Sequence, residues 1–288
     1  MKIISPAVFA GLLATVVLGS GEAGASVRVV TSFYPLYVAA LNVTEGVEGI
    51  EVHNMAAPHV GCLHDYQLTA ADARQLADAD LLVVNGAGME TFLEKIRAQS
   101  PRLTMVDASE GIPLLDGNPH VWVSPAGARA QVDNIARALS AVDPANAKRY
   151  EANATAYNAQ LTAFEARLKA ELTPLEGAAV VAQHDSFPYL AQALGLVIVG
   201  VIENAHGHEP GAGQLAHIID LARDKNVRVI FSEPGFSARL AQTVARESGA
   251  PVVELDPVSA GPSEPLRARG GWLAAMEKNL AALRTLLR

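Results

Sequence analysis

The chain has 288 residues, half of them hydrophobic and 18% charged. That length suits one large domain or two modest lobes, and that composition excludes a disordered chain. A formal net charge of −8 excludes a general nucleic-acid binder, which needs surplus cations to neutralise phosphates. A single cysteine excludes an internal disulfide framework and any multi-cysteine zinc or iron–sulfur cluster.

Residues 1–25 read as a cleaved signal peptide. Lys2 supplies the positive start, Ala7 to Leu18 is apolar, and Ala23-Gly24-Ala25 is a small-x-small cleavage site before Ser26. The apolar run is shorter than the roughly 20 residues a membrane span needs. Lys2 and Glu22 leave together, so the mature chain keeps its charge of −8. The expectation is an exported protein in which Cys62 is a lone thiol in an oxidising compartment.

The elements follow in chain order. Val27–Thr31 is β-branched and reads as a strand, followed by a helix opened by Ser32-Phe33-Tyr34-Pro35. Ile50–Asn54 is a second strand. Thr69 with Asp72 three residues on has the form of a helix start. Leu81-Leu82-Val83-Val84 is an unbroken apolar run, as in a strand buried on both faces of a parallel sheet. A helix over Gly88–Arg97 and a strand over Leu103–Val106 complete an alternating first block.

Ser124-Pro125 and Asp143-Pro144 each open a helix. Behind the second, Tyr150, Ala154, Tyr157, Leu161, Phe164, Leu168 and Leu172 form one helical stripe that ends before Pro174. A helix over 144–172 spans about 43 Å at about 1.5 Å per residue and contains no Gly or Pro from Ala145 onward. It reads as a rigid connector that permits only a small closure. The alternative is an ordinary helix packed on a single sheet. The alternation resumes with strands at Ala178–Ala182, Leu196–Val201, Val227–Phe231 and Val252–Leu255. Helices are expected at Ser186–Leu194, Gly213–Asp224, Ala238–Ser248 and Trp272–Leu287.

The expected fold is α/β: two (β/α)4 lobes with parallel sheets, joined by one long rigid helix, with the site in the cleft between them. The expected boundaries are a signal peptide over 1–25, an N-terminal lobe over 26–142, a connecting helix over 143–173 and a C-terminal lobe over 174–288.

Open parallel sheets bind ligands beyond the carboxyl ends of their strands. His64 follows the second strand, His120 the fourth, His184 the first strand of the second lobe, and Asp256 the last strand. Three imidazoles and a carboxylate complete a tetrahedral site for a borderline cation such as Zn(II). Each histidine taken alone reads as a surface or hydrogen-bonded residue before it reads as a ligand; their shared placement is the signal.

These residues also carry a family resemblance. Gly61-Cys62-Leu63-His64-Asp65-Tyr66 with Leu81–Gly86, Asn118-Pro119-His120-Val121-Trp122, His184-Asp185-Ser186-Phe187-Pro188-Tyr189, and Phe231-Ser232-Glu233-Pro234 through Leu255-Asp256-Pro257 stand in order. Together they resemble the four metal motifs of the zinc- and manganese-binding subunits of ABC importers, over about Val27 to Leu287. The resemblance implies capture of Zn(II), with Mn(II) as second candidate, in the periplasm and delivery to a membrane permease. It carries His64, His120, His184 and Asp256 over as metal ligands. Asp116-Gly117-Asn118 replaces the histidine-rich loop of many zinc-uptake members, and Leu63 stands where others have an acid or proline.

Cys62 reads as a small buried residue or a soft ligand. His206-Gly207-His208-Glu209 reads as a plain loop or a weak collecting site. Glu233 reads as an acceptor for a ligating imidazole. A monomer is expected, with no enzyme activity and no nucleic-acid partner. Two other functions remain in view: a zinc metallohydrolase with an open coordination position, using Glu233 as base, and a binder of organic metal chelates.

Overall fold

A computed structural model describes residues 26–56, 63–203 and 210–288. The leader over 1–25, Cys62 and the cluster of His206, His208 and Glu209 lie outside the described residues. No helix among the described residues is long and apolar enough to cross a membrane.

The first half alternates β1 (Val27–Thr31), α1 (Tyr34–Val43), β2 (Ile50–Asn54), α2 (Ala70–Ala77), β3 (Leu81–Val84), α3 (Leu93–Gln99) and β4 (Thr104–Asp107). The four strands form one parallel sheet in the order β2-β1-β3-β4. All four residues of β3 are buried, because helices cover both faces. The capping box expected at α2 is present: Thr69 Oγ1 accepts from Asp72 N–H, and the Asp72 carboxylate accepts from Thr69 N–H.

The second half repeats the plan with β5 (Ala179–Ala182), α6 (Pro188–Leu194), β6 (Val197–Val201), α7 (Ala212–Asp224), β7 (Val229–Ser232), α8 (Ala238–Ser248), β8 (Val252–Glu254), α9 (Pro265–Arg269) and α10 (Gly271–Arg284). Its sheet order, β6-β5-β7-β8, has the same pattern as the first.

Between the sheets run α4 (Pro125–Val142) and α5 (Ala147–Leu172). The Asp143-Pro144 start makes a separate 3-10 turn over Pro144–Asn146 before the α-helix begins. The buried residues of α5 are the stripe from Tyr150 to Leu172. That stripe joins one continuous core containing Val29 and Leu81 of the first sheet and Val180 and Phe231 of the second. Ion pairs continue the tie: Arg129 of α4 meets Glu165 at 2.6 Å, while Arg167 and Glu171 of α5 pair with Glu277 and Arg284 of α10.

Helix α1 is the second link between the halves. All ten of its residues are buried, as an apolar all-round helix requires. Asn42 Nδ2 donates to Arg269 O at 2.9 Å and Tyr37 Oη donates to Ser263 O at 3.1 Å. The Tyr34 ring fills a socket floored by Gly261 and Gly271. A Cβ on Gly261 would fall 2.2 Å from the ring, and one on Gly271 would fall 1.9 Å from Tyr34 Oη. Glycine is required there by close approach.

Candidate metal site in the interlobe cleft

Each histidine hangs from an anchored segment. His64 sits in a 3-10 turn over Leu63–Asp65 that follows β2. Leu63 is fully buried and pins that turn, while His64 is half-buried. His120 follows β4 and precedes a 3-10 turn over Val121–Val123; it is 2% exposed. Its neighbour Trp122 donates its indole N–H to Pro257 O at 2.8 Å, and Trp272 donates to Trp122 O at 2.9 Å. The chain at His120 is thus welded to the second lobe. His184 lies just past β5, 3% exposed, with the Phe236 ring stacked on it at 5.4 Å.

The three imidazoles converge. Their ring centroids are 5.4 Å apart for His64–His120 and for His120–His184, and 6.4 Å apart for His64–His184. One donor atom from each lies within 4.8 Å of the others, and they are the only group of three or more His, Cys, Asp or Glu side chains so placed among the described residues. Burial, and next the nearby imidazoles of His184 and His64, hold the His120 pKa well below the usual histidine value. A neutral His120 presents a lone pair, as metal ligation needs.

Asp256 is outside that group of three. It follows β8 on a short turn in which its Oδ1 accepts from Val258 N–H at 2.7 Å. Asn279 grips its main chain from α10 by two bonds of 2.8 Å. Val258 holds φ at 60°, a costly conformation for a β-branched residue. Burial raises the Asp256 pKa above the ordinary carboxylate value.

Glu233, expected to accept from an imidazole, instead takes Ser186 Oγ–H on Oε2 at 3.2 Å, while Oε1 is buried without a hydrogen-bond partner. Burial, opposed by the Ser186 bond, pushes its pKa up to about 8.

Asn118 and Asp185 are functional neighbours to which the sequence reading gave no role. Asn118 Oδ1 accepts from His120 N–H at 2.8 Å and lies 3.0 Å from His120 Nδ1. Its Nδ2 donates to Asp185 O and Oδ2, both at 2.8 Å. The signal was present: Asn118 stands two residues before His120, and Asp185 directly follows His184.

The family model of the ZnuA zinc-uptake complex component A, periplasmic, matches residues 29–286. The chain is 31% identical over 290 residues to the high-affinity zinc uptake system protein ZnuA of Bacillus subtilis (strain 168), covering 92% of this chain and 89% of that protein. Among solved structures, the SBP FpvC from Pseudomonas aeruginosa in complex with Mn(II) superposes with a TM-score of 0.82 at 32% identity, covering 91% of this chain and 98% of that one. The same protein in complex with Ni(II) gives a TM-score of 0.82 at 32% identity, covering 91% and 96%. The two matching parallel sheets, the histidines gathered at their strand ends and the match over 29–286 have one conclusion: the chain belongs to the ZnuA family, the periplasmic A components of zinc-uptake complexes.

Proposed function

We propose that this protein captures Zn(II) between its two lobes with His64, His120 and His184, takes Asp256 as a fourth ligand, and hands the ion to the permease of an ABC importer. The family is the solute-binding component of such importers and not an enzyme. Metal is its cargo; Zn(II) is the first candidate, and Mn(II) is a second, in keeping with the Mn(II) and Ni(II) complexes of its structural relative. The family is described as periplasmic, and a leader over 1–25, cleaved before Ser26, would deliver the chain there.

The observation that carries this reading is the trio of imidazole donors within 4.8 Å of one another, two of them buried. Three imidazole nitrogens suit a borderline cation better than a hard one. Their origin on both lobes means that a bound ion is held only when the lobes face each other. A carboxylate in the fourth position closes the site against the water that a hydrolase would need. The motion that admits the ion is small in this account, because α1 and α5 each pack against both lobes. The lobe boundaries proposed are 26–142, 143–173 and 174–288, and the working unit is a monomer.

Isothermal titration of chelator-stripped protein tests the reading. One Zn(II) per chain is expected, with no binding of comparable strength after His120→Ala. Undiminished binding by that variant would contradict it.

A further inference from the structure

The Asn118 carboxamide spans the two lobes. It is 8% exposed. On one side its Nδ2 donates to the main-chain oxygen and to the carboxylate of Asp185, each at 2.8 Å. On the other its Oδ1 accepts from His120 N–H at 2.8 Å and faces His120 Nδ1 at 3.0 Å. These four partners fix the orientation of the amide. A main-chain oxygen is an acceptor at any pH, and a main-chain N–H is a donor at any pH. A reversed amide would set oxygen against oxygen at Asp185 and nitrogen against the His120 N–H.

The consequence reaches the imidazole. A carboxamide oxygen only accepts, so His120 Nδ1 carries the hydrogen of that bond. A neutral imidazole has one donor nitrogen and one acceptor nitrogen. With Nδ1 as donor, Nε2 keeps the lone pair for a metal. The other end of the amide acts on Asp185, the chain neighbour of His184, through both its main chain and its side chain. The Asn118 main chain is itself held: Tyr189 of α6 donates its hydroxyl to Asn118 O at 2.6 Å, and Asn85 Nδ2 donates to Pro119 O at 3.0 Å.

We propose that Asn118 is a positioning residue that couples the second and third histidines across the cleft, presetting His120 with Nε2 toward the metal and holding the Asp185 segment in register with it. This deepens the metal-capture reading and rests on it. Outer partners that orient ligating histidines are typically worth about 10–100-fold in metal affinity.

The pairing makes an exchange test possible. Asn118→Asp keeps an acceptor for His120 but sets one carboxylate against another at Asp185. Adding Asp185→Asn returns an N–H donor to the side-chain pair, while the main-chain oxygen of residue 185 stays without the donor it had from Asn118. Zinc affinity would be measured by competition with a chromogenic chelator for wild type, Asn118→Ala, Asn118→Asp and the double variant Asn118→Asp/Asp185→Asn. Long-range proton–nitrogen NMR of metal-free, 15N-histidine-labelled protein would read the His120 tautomer, with resonances assigned through His120→Gln. The expected result is a loss of about 10–100-fold for each single Asn118 variant and partial recovery in the double variant, which regains the side-chain bond but not the one to the main-chain oxygen of residue 185. His120 should be the Nδ1–H tautomer in wild type and a mixture in Asn118→Ala. Wild-type affinity in Asn118→Ala, no recovery in the double variant, or an Nε2–H tautomer in wild type would each overturn the assignment. Failure of wild type to bind zinc would overturn the capture reading instead, and the tautomer, read without metal, would still decide the role of Asn118.

Discussion

His120 and His184 come from different sheets, yet their rings meet edge to face with centroids 5.4 Å apart and planes at 86°. Both are almost completely buried, whereas His64 is half-buried. Removing either buried imidazole deletes a donor and leaves a void. His120→Ala and His184→Ala should each weaken Zn(II) binding by about a hundredfold or more, roughly 2.8 kcal/mol at 1.4 kcal/mol per decade. Chelator competition measures this, and a loss under threefold in either variant would remove that histidine from the site.

Metal preference should follow the third histidine. Imidazole suits Zn(II), and carboxylate oxygen suits harder Mn(II). Wild type should hold Zn(II) tighter than Mn(II) by on the order of a hundredfold, as the first-row affinity order requires. His184→Glu should narrow that gap by weakening Zn(II) more than Mn(II). Parallel competition titrations with both ions give the ratio; an unchanged ratio would mean that ligand chemistry at this position does not set the choice.

Asp256 tests the fourth ligand. Its Oδ1 is engaged by Val258 N–H, so Oδ2 is the oxygen to reach the ion. Asp256→Asn keeps the size and an acceptor oxygen but removes the charge. Zn(II) affinity should fall by about tenfold or more, a cost of roughly 1.4 kcal/mol. Equal affinity in variant and wild type would assign the fourth position to something else.

Glu233 gives the metal-free protein a pH signature. Its pKa is pushed up to about 8 in the fold, chiefly by burial, from an ordinary value of 4.5. Between those values the folded state keeps a proton that the unfolded state has lost, so this group's contribution to stability falls as pH rises. Glu233→Gln abolishes that dependence. The variant's melting temperature relative to wild type should therefore be higher at pH 8 than at pH 5. Thermal melts of chelated protein at both values check it; a constant difference would show that Glu233 does not titrate in this window.

Tyr34 and Gly271 should be coupled. Tyr34 Oη is buried without a hydrogen-bond partner, and it is the atom a Gly271 Cβ would strike. Gly271→Ala should destabilise by about 1–3 kcal/mol, the usual cost of overpacking. Tyr34→Phe removes an unsatisfied hydroxyl and should be neutral or stabilising. The double variant should recover most of the loss, because the next ring atom lies 3.0 Å from the added carbon. Denaturant melts of the four proteins form the cycle, and strict additivity would contradict the contact.

Much of this architecture is legible in the chain. The expectations for Val27–Thr31, Ile50–Asn54, Leu81–Val84 and Ala238–Ser248 match the observed elements, because apolar runs and caps are local signals. The α5 stripe is legible for the same reason: helical spacing selects the residues that face both lobes. Helix α3 begins at Leu93 rather than Gly88. Gly88 sits at φ 80° and Ala87 at φ 51°, so the chain turns there, and Glu90 accepts from Asn85 N–H at 2.6 Å and Gly86 N–H at 3.0 Å. Helix α9, of five residues over Pro265–Arg269, is too short for a periodic signal. At the site, the histidines were visible as strand-end polar groups. The bridge from Asn118 to Asp185 and the Tyr34 socket were not, since both depend on how two distant halves dock.

X-ray absorption at the zinc K-edge, on protein loaded with one equivalent of Zn(II), measures the proposed ligand set most directly. A four-coordinate zinc with nitrogen and oxygen ligands only is expected, with imidazole scattering from three histidines at about 2.0–2.1 Å. His120→Ala should remove one imidazole from that signal. A sulfur shell at about 2.3 Å, or an oxygen-dominated shell without imidazole scattering, would contradict the histidine trio as the place where the metal is held.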